Sequence, residues 1–440
     1  MMKNVPLFSR IVTFFLLVLM AAAQPIFAQE EKLRGTIDGG VVRGKPIAIV
    51  PFKVLDGSPA EHAIHEVVAF DLDASGKFES IPVKDFLSQP SKGEEVRFKD
   101  WRFIDAEILV IGEIWNIGGD KYEVQFRIYD VVHQQQIGAG QRISGLSKSD
   151  LRTAAHIISD NVYQAFTGKT GAYQSRMAYI TRSEVEYQRY RYRLMVADWD
   201  GYGAREVYAS WSPILSPDWS PDSRQLAFVG FNKNGTVIKT IDLTTLQTQT
   251  IAEFKGVNSA PSWSPDGSKI AYSTSQHGSP DIYIYDVQSR QHNRISTHYG
   301  IDTEPSWSPR GDSFLFTSSR TGKPQIYSYR VSDQSLARVT FEGDESANAS
   351  YDPSGKQILM VHEGGQIAIM NEETSRITML TNAKFDESPS FSPNGDMVLY
   401  KTEQQYEPTL MVASSDGRIR TRLNLISGDV REPAWSPLRK

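Results

Sequence analysis

The sequence predicts a mixed fold: a small N-terminal α/β domain followed by a C-terminal six-bladed β-propeller closed by the C-terminal strand. Three observations carry this prediction. A motif of an aromatic residue, Ser or Asp, Pro, any residue and usually Gly recurs at a near-constant interval. A short apolar run follows each internal copy of the motif, and the two ends of the repeat are incomplete in complementary ways.

The motif aromatics are Trp219, Trp263, Trp307, Tyr351, Phe391 and Trp435, spaced by 44, 44, 44, 40 and 44 residues. A strand-rich repeat of about 40 to 50 residues is the size of a propeller blade. In Ser264-Pro265-Asp266-Gly267, proline presets φ for the first turn position, aspartate suits the second, and glycine accepts the positive φ that closes a hairpin. The runs Leu226-Ala227-Phe228, Ile270-Ala271-Tyr272, Phe314-Leu315-Phe316, Ile358-Leu359-Met360 and Val398-Leu399-Tyr400 read as buried second strands. Third strands such as Ile282 to Tyr285 and Gln325 to Tyr329, and fourth strands such as Asn293 to Ser296 and Ala337 to Thr340, make four per unit.

Ala178-Tyr179-Ile180 matches a second strand that lacks a preceding aromatic turn, and Trp435-Ser436-Pro437 is a turn with no strand after it. Together they complete a sixth blade, so the C-terminal strand closes the ring and removes the exposed edges of an open sheet. A β-solenoid is the rival architecture.

Before the propeller the rhythm differs. Ile47 to Phe52 and Ile108 to Ile111 read as buried strands, and Tyr122 to Asp130 alternates as a half-exposed one. Ser58 as N-cap, Pro59, Glu61 and the stop Gly76 frame a helix whose Ala60, Ile64, Val67, Val68 and Leu72 share a face. A longer helix presents Leu151, Ala154, Ala155, Ile158, Val162 and Phe166 inward and stops at Gly168. The domain spans residues 41–170, a linker 171–176, and the propeller 177–440.

Lys3 and Arg10, the apolar run Ile11 to Ala23 and the small residues ending at Ala28 have the layout of a secretory signal peptide over residues 1–28, with cleavage after Ala28. An uncleaved anchor is the alternative, but no stop-transfer pattern follows. No cysteine lies near the cleavage site for lipid attachment, and no other segment is apolar enough to enter a membrane. Residues 29–40, glycine-containing and without periodicity, read as a flexible N-terminal arm. The chain has no cysteine, which excludes disulfides, thiolate metal sites and cysteine nucleophiles, and suits a bacterial periplasm. With 52 acidic against 47 basic residues there is no electrostatic footprint for nucleic acid.

No catalytic constellation emerges. Propellers of this motif type also cap serine peptidases, but the Gly-x-Ser-x-Gly elbow is absent. Gly168-Lys169-Thr170 ends a helix and has Tyr163 where a phosphate loop needs its first glycine. His62 and His65 have metal-compatible spacing without a third ligand, Asp71 and Asp73 do not share a helix face, and Glu372 and Glu373 sit beside a turn. No metal or cofactor is expected.

The repeat itself points to a site. The residues three before each aromatic, Ser216, Ala260, Glu304, Asn348, Ser388 and Glu432, converge around the axis at one mouth of the ring. Asn258, Asp302, Thr303, Asp386 and Glu387 flank them, giving a polar, mildly acidic funnel. Such a mouth suits a protein surface or peptide presenting donors, or a cation.

Several segments carry a family resemblance: Ile47 to Phe52, Leu72 with Ser75-Gly76-Lys77-Phe78, Ala106 to Gly112, Ala178-Tyr179, Asp198-Trp199-Asp200-Gly201-Tyr202, Thr303-Glu304-Pro305-Ser306-Trp307 and Pro433-Ala434-Trp435-Ser436-Pro437. Across essentially the whole mature chain the sequence resembles the TolB family, periplasmic propeller proteins of the Tol–Pal envelope system. The resemblance implies a non-enzymatic scaffold whose propeller binds the peptidoglycan-associated lipoprotein Pal and whose N-terminal arm engages TolA, in support of outer-membrane integrity and envelope constriction at cell division. Ala260, Thr303 and Glu304 match positions of the family's lipoprotein interface. Joined to the funnel geometry, this predicts a lipoprotein site of Asn258, Ala260, Asp302, Thr303, Glu304, Asn348, Glu387, Ser388 and Glu432. Leu33, Arg34, Thr36, Ile37 and Asp38 become the TolA-binding residues. Where the family leads one to expect a histidine near the lipoprotein site, this chain has Val257. A monomer is expected, and the alternative function is an exported propeller binding a sugar or small ligand in its channel.

Overall fold

The computed structural model describes residues 37–38, 41–55, 63–404, 407–425 and 429–438. The signal peptide, Leu33, Arg34 and Thr36 of the arm, and the helix-start residues Ser58, Pro59, Ala60 and Glu61 lie outside them, as does His62. The chain divides into two units, Met1–Val42 and Arg43–Lys440. In the first, β1 (Ile37–Asp38) pairs antiparallel with β2 (Val41–Val42), Ile37 opposite Val42.

The second unit begins with a mixed sheet of β3 (Lys45–Ile49), β4 (Lys53–Val54), β5 (Phe78–Ser80), β6 (Ile108–Gly118), β7 (Lys121–Asp130) and β8 (Gln135–Leu146). The strand order is β5-β3-β6-β7-β8, with β4 also pairing β6; β3, β5 and β6 are parallel, whereas β7 and β8 run antiparallel. The apolar run at β3 is continuous because both faces are covered. Ile47 and Ile49 face α1 (Ile64–Ala74) and α3 (Asp150–Thr167), while Ala48 and Val50 meet Trp101 of α2 (Phe98–Phe103). Both helix stops fall as the sequence indicates. Gly76 has φ +67°, and Gly168, at φ +73°, donates its N–H to the Gln164 carbonyl.

Six four-stranded antiparallel sheets follow among the described residues. Blade 1 joins the innermost strand Asp429–Trp435 to Arg176–Glu186, Arg189–Asp198 and Arg205–Ser210. The last strand therefore closes the ring, as the incomplete ends of the repeat require. The innermost strands of blades 2 to 6 are Leu215–Trp219, Asn258–Trp263, Asp302–Trp307, Ser346–Tyr351 and Glu387–Phe391. Apolar side chains pack between blades; Trp307, Phe314 and Phe316 of blade 4, for example, meet Ala271, Ile282 and Ile284 of blade 3. Each fully buried side chain of this kind contributes roughly 2 to 3 kcal/mol.

The motif turns stack around the ring. A Cβ on Gly267 would stand 3.3 Å from Pro221 of the preceding turn, and one on Gly311 3.2 Å from Pro265. Glycine is thus needed for its φ near +72° and also for this close approach. Only the first internal turn lacks it: Ser223 takes φ +58° and its hydroxyl donates to the Pro437 carbonyl, fastening the closing strand.

The α/β domain sits against the turn side of blades 1 and 6. Tyr163 Oη donates to Asp396 Oδ2 at 2.6 Å, Lys169 Nζ lies 2.9 Å from Asp396 Oδ1, and Arg418 Nη2 donates to the Gly76 carbonyl. Trp199 stacks on Trp435 with centroids 5.9 Å apart, and Trp435 Nε1 donates to Ser175 Oγ. The segment between the domains is a packed joint, with Ala172 and Tyr173 fully buried.

Candidate partner-binding mouth

Strand direction alternates within each blade, so every innermost strand starts at one face of the ring and every motif turn lies at the other. The starting face is the mouth. Behind it, a cavity of about 300 Å³ follows the axis, lined by all six residues that stand three before the aromatics. Ala260, Thr303, Glu304, Asn348, Ser388 and Glu432 are thereby brought together, as the repeat predicts.

The backbone at these six positions departs from ordinary strand geometry. Ser216, Ala260, Glu304, Asn348, Ser388 and Glu432 have φ between +46° and +55°, although none is glycine. Each innermost strand changes register with its neighbour at or next to this point, which is the signature of a bulge. Left-handed backbone at non-glycine residues costs on the order of 1 to 3 kcal/mol apiece and concentrates at functional sites.

Two carboxylates tie neighbouring blades together here. Glu304 Oε2 accepts the Asn348 N–H at 2.8 Å and the Thr317 hydroxyl at 2.7 Å; Glu432 Oε2 accepts the Ser216 N–H. Glu304 belongs to blade 4 and Glu432 to blade 1, so they face each other across a six-bladed ring. Enclosure pushes the Glu432 carboxyl up to about 7. One tier deeper, Asp218 Oδ2 accepts the Trp263 N–H at 2.7 Å and is likewise raised by burial to about 7.

Other predicted residues are placed differently. Asn258 is fully buried and its side-chain amide donates to the Thr236 and Phe254 carbonyls; it braces the loop into blade 3. Asp302 is also fully buried, held by Arg320 Nη2 at 2.8 Å and the Ser318 hydroxyl. The flanking Asp386 is buried as well. These three lie off the cavity because they enter the strand where its side chains turn into the blade. Glu387 is exposed and pairs with Lys401. Ile37 and Asp38 lie in β1, within the other unit.

An apolar rim surrounds the polar cavity. Val257, Tyr299, Ile301, Phe341 and Phe385 sit in the connections entering blades 3 to 6, Trp211 in the one entering blade 2, and Tyr187 on the blade 1 hairpin. All are exposed, Tyr299 at 84% and Tyr187 at 89%. Val257, marked above for a missing histidine, is part of this rim.

A second polar cluster is buried at the domain joint. Asp71 on α1 accepts from His156 Nδ1 at 2.8 Å, from Ser159 Oγ at 2.6 Å and from Trp199 Nε1 at 3.2 Å. His156 Nε2 lies 3.8 Å from Asp200 Oδ2, and Asp200 is also engaged by Arg152. Burial alone would lower the imidazole, but Asp71 and Asp200 override it and raise it to about 9. The three side chains are close enough to share a metal ion. Their two negative charges, however, are already met by His156 and Arg152, which suits an internal ion network. Sequence reasoning dismissed Asp71 and never singled out His156. The available signal was polar residues on apolar stripes: Asp71 follows Val67 and Val68 by one turn, and His156 and Ser159 adjoin Ala155 and Ile158.

The fold and its mouth define the class, a two-domain β-propeller protein with a polar axial cavity and exposed apolar side chains around it. Comparison with known proteins gives the family. The model of the TolB beta propeller domain matches residues 163–439, and that of the TolB amino-terminal domain residues 33–137. A relative from Nitrosococcus oceani, named Tol-Pal system protein TolB, is 53% identical over 425 residues, covering 96% of each chain. One of the same name from Xylella fastidiosa is 44% identical over 438 residues, covering 97% of this chain and 98% of its own. The crystal structure of TolB from Acinetobacter baumannii superposes with a TM-score of 0.81 at 37% identity, covering 90% of this chain and 97% of the other. The chain belongs to the TolB family.

Proposed function

We propose that this protein is a non-enzymatic periplasmic scaffold of the Tol–Pal system. Its propeller mouth binds the peptidoglycan-associated lipoprotein, and its N-terminal arm, freed by cleavage after Ala28, binds TolA. In that role it supports outer-membrane integrity and constriction at division. The observation that carries the reading is the mouth itself: six strained backbone positions and two opposed glutamates around the axis, ringed by exposed aromatic and aliphatic side chains. Polar donors and acceptors at the centre fix the register of a partner, and apolar surface at the rim supplies association energy. A small ligand in the cavity would leave the rim uncovered, which favours a protein partner over the sugar-binding alternative.

Affinity capture from an envelope extract tests this. The mature chain should retain a small outer-membrane lipoprotein and TolA. Removal of residues 29–40 should abolish TolA capture and leave the lipoprotein bound. Loss of both, or capture of neither by the intact chain at low salt, would contradict the two-site assignment.

A further inference from the structure

On the face opposite the mouth, blades 1 to 3 enclose a cleft of about 620 Å³ lined by three arginines. Arg176 opens the second strand of blade 1, Arg205 opens that blade's outermost strand, and Arg224 follows the first motif turn. Two of them are held in place by backbone. Arg176 donates Nη2 to the Ser223 carbonyl at 2.5 Å with its guanidinium 4.9 Å from the Trp219 ring centroid, and Arg205 donates Nη2 to the Leu243 carbonyl at 3.1 Å. The Arg224 guanidinium makes no direct hydrogen bond or ion pair among the described residues, and acts on Asp222 and Asp242 only through space.

Two aspartates also line the cleft, but both serve their own turns. Asp222 accepts the Ser220 hydroxyl and the Arg224 N–H; Asp266 accepts the Ser264 hydroxyl and both the N–H and the hydroxyl of Ser268. These neutral donors favour the ionised carboxylates, holding Asp222 and Asp266 below the usual range, so the lining carries three guanidinium cations against two anions. The repeat supplies internal controls. At the position of Arg224 the following turns carry Ser268, Asp312, Lys356 and Asp396, so blade folding does not require arginine there.

We propose that this cleft is a binding site for a small oxyanionic ligand, one bearing phosphate or several carboxylates, held between Arg205 and Arg224 with Arg176 behind them. The volume falls within the range of small-ligand sites, about 300 to 1,000 Å³. Planar guanidinium forks match carboxylate and phosphate oxygens in pairs, and prior fixation of Arg176 and Arg205 by carbonyls lowers the ordering penalty on binding. The site is independent of the mouth and of the partner assignments above.

Titration calorimetry on the mature chain at low ionic strength, with inorganic phosphate and separately with citrate, tests it. Binding of either probe is expected, weakened about tenfold or more by Arg224→Ser and by Arg205→Gln. Arg224→Ser copies the next turn and should unfold at the wild-type midpoint. Phosphate alone binding would assign the ligand to the phosphate class, citrate alone to polycarboxylates. Failure of both probes, or unchanged binding in both variants, would overturn the proposal.

Discussion

Replacing His156 with Gln should destabilise the protein by about 3 to 5 kcal/mol near neutral pH, and the loss should shrink as pH rises. The imidazole is 3% exposed and sits between Asp71 and Asp200 at the joint of α1, α3 and blade 1. With His156 protonated and Arg152 in place, two cations meet two carboxylates. Glutamine leaves one cation for two buried carboxylates, and breaking a buried pair in this way costs about 3 to 5 kcal/mol. Linkage gives a similar figure. The imidazole rises from 6.5 to about 9, which at about 1.4 kcal/mol for each tenfold change is about 3 to 4 kcal/mol, offset in part by the burial that pushes the Asp71 carboxyl up. Because the folded-state value is the higher one, this stabilisation is fully present below about pH 6.5 and is lost as pH climbs through 9. Urea unfolding followed by tryptophan fluorescence at pH 6.5 and pH 9.5 would measure it, with Trp199 and Trp435 reporting on the joint. A wild-type to variant difference below about 1 kcal/mol at pH 6.5, or one equally large at pH 9.5, would refute the ion network.

Two further predictions concern the ring. Glu432 and Asp218 are both raised to about 7 by enclosure, so wild-type stability should fall as pH rises from about 4 to 7, by up to about 3 kcal/mol for each group. Glu432→Gln should remove roughly half of that slope in urea midpoints compared at pH 5 and pH 8; an unchanged slope would show that Glu432 is not enclosed. Gly311→Ala forces a Cβ into a residue at φ +71° and to within 3.2 Å of Pro265, and should lower stability by about 1 to 3 kcal/mol in the same assay.

The sequence made the propeller legible because its repeat is written in turn chemistry. Pro265 and Gly267 announce a hairpin wherever they occur, and the orphan strand at Ala178 and the orphan turn at Trp435 could only be joined by closing the ring. The axial positions were also legible, since counting back three residues from each aromatic needs no structure. What could not be read was their backbone. The left-handed φ at Ala260, Glu304 and Glu432 is not betrayed by residue type, although Asn348 is of a type that tolerates it. Side-chain direction at the strand entrances was misjudged as well. Asn258 and Asp302 look like mouth residues by position, yet they turn into the blade and brace loops. The domain joint was invisible because Asp71, His156 and Asp200 are separated by 85 and 44 residues and meet only when both domains are folded.

The claim that the mouth is a protein-binding face is tested most directly by calorimetric titration of the purified lipoprotein into the mature chain, with Glu304→Arg and Glu304→Gln alongside. Wild type should bind one lipoprotein per chain. Glu304→Arg should weaken binding at least tenfold, because a cation replaces the carboxylate that orders Asn348 and Thr317 at the axis, while Glu304→Gln, which keeps an acceptor, should lose less. Equal affinity for wild type and Glu304→Arg, with both chains folded, would contradict the account.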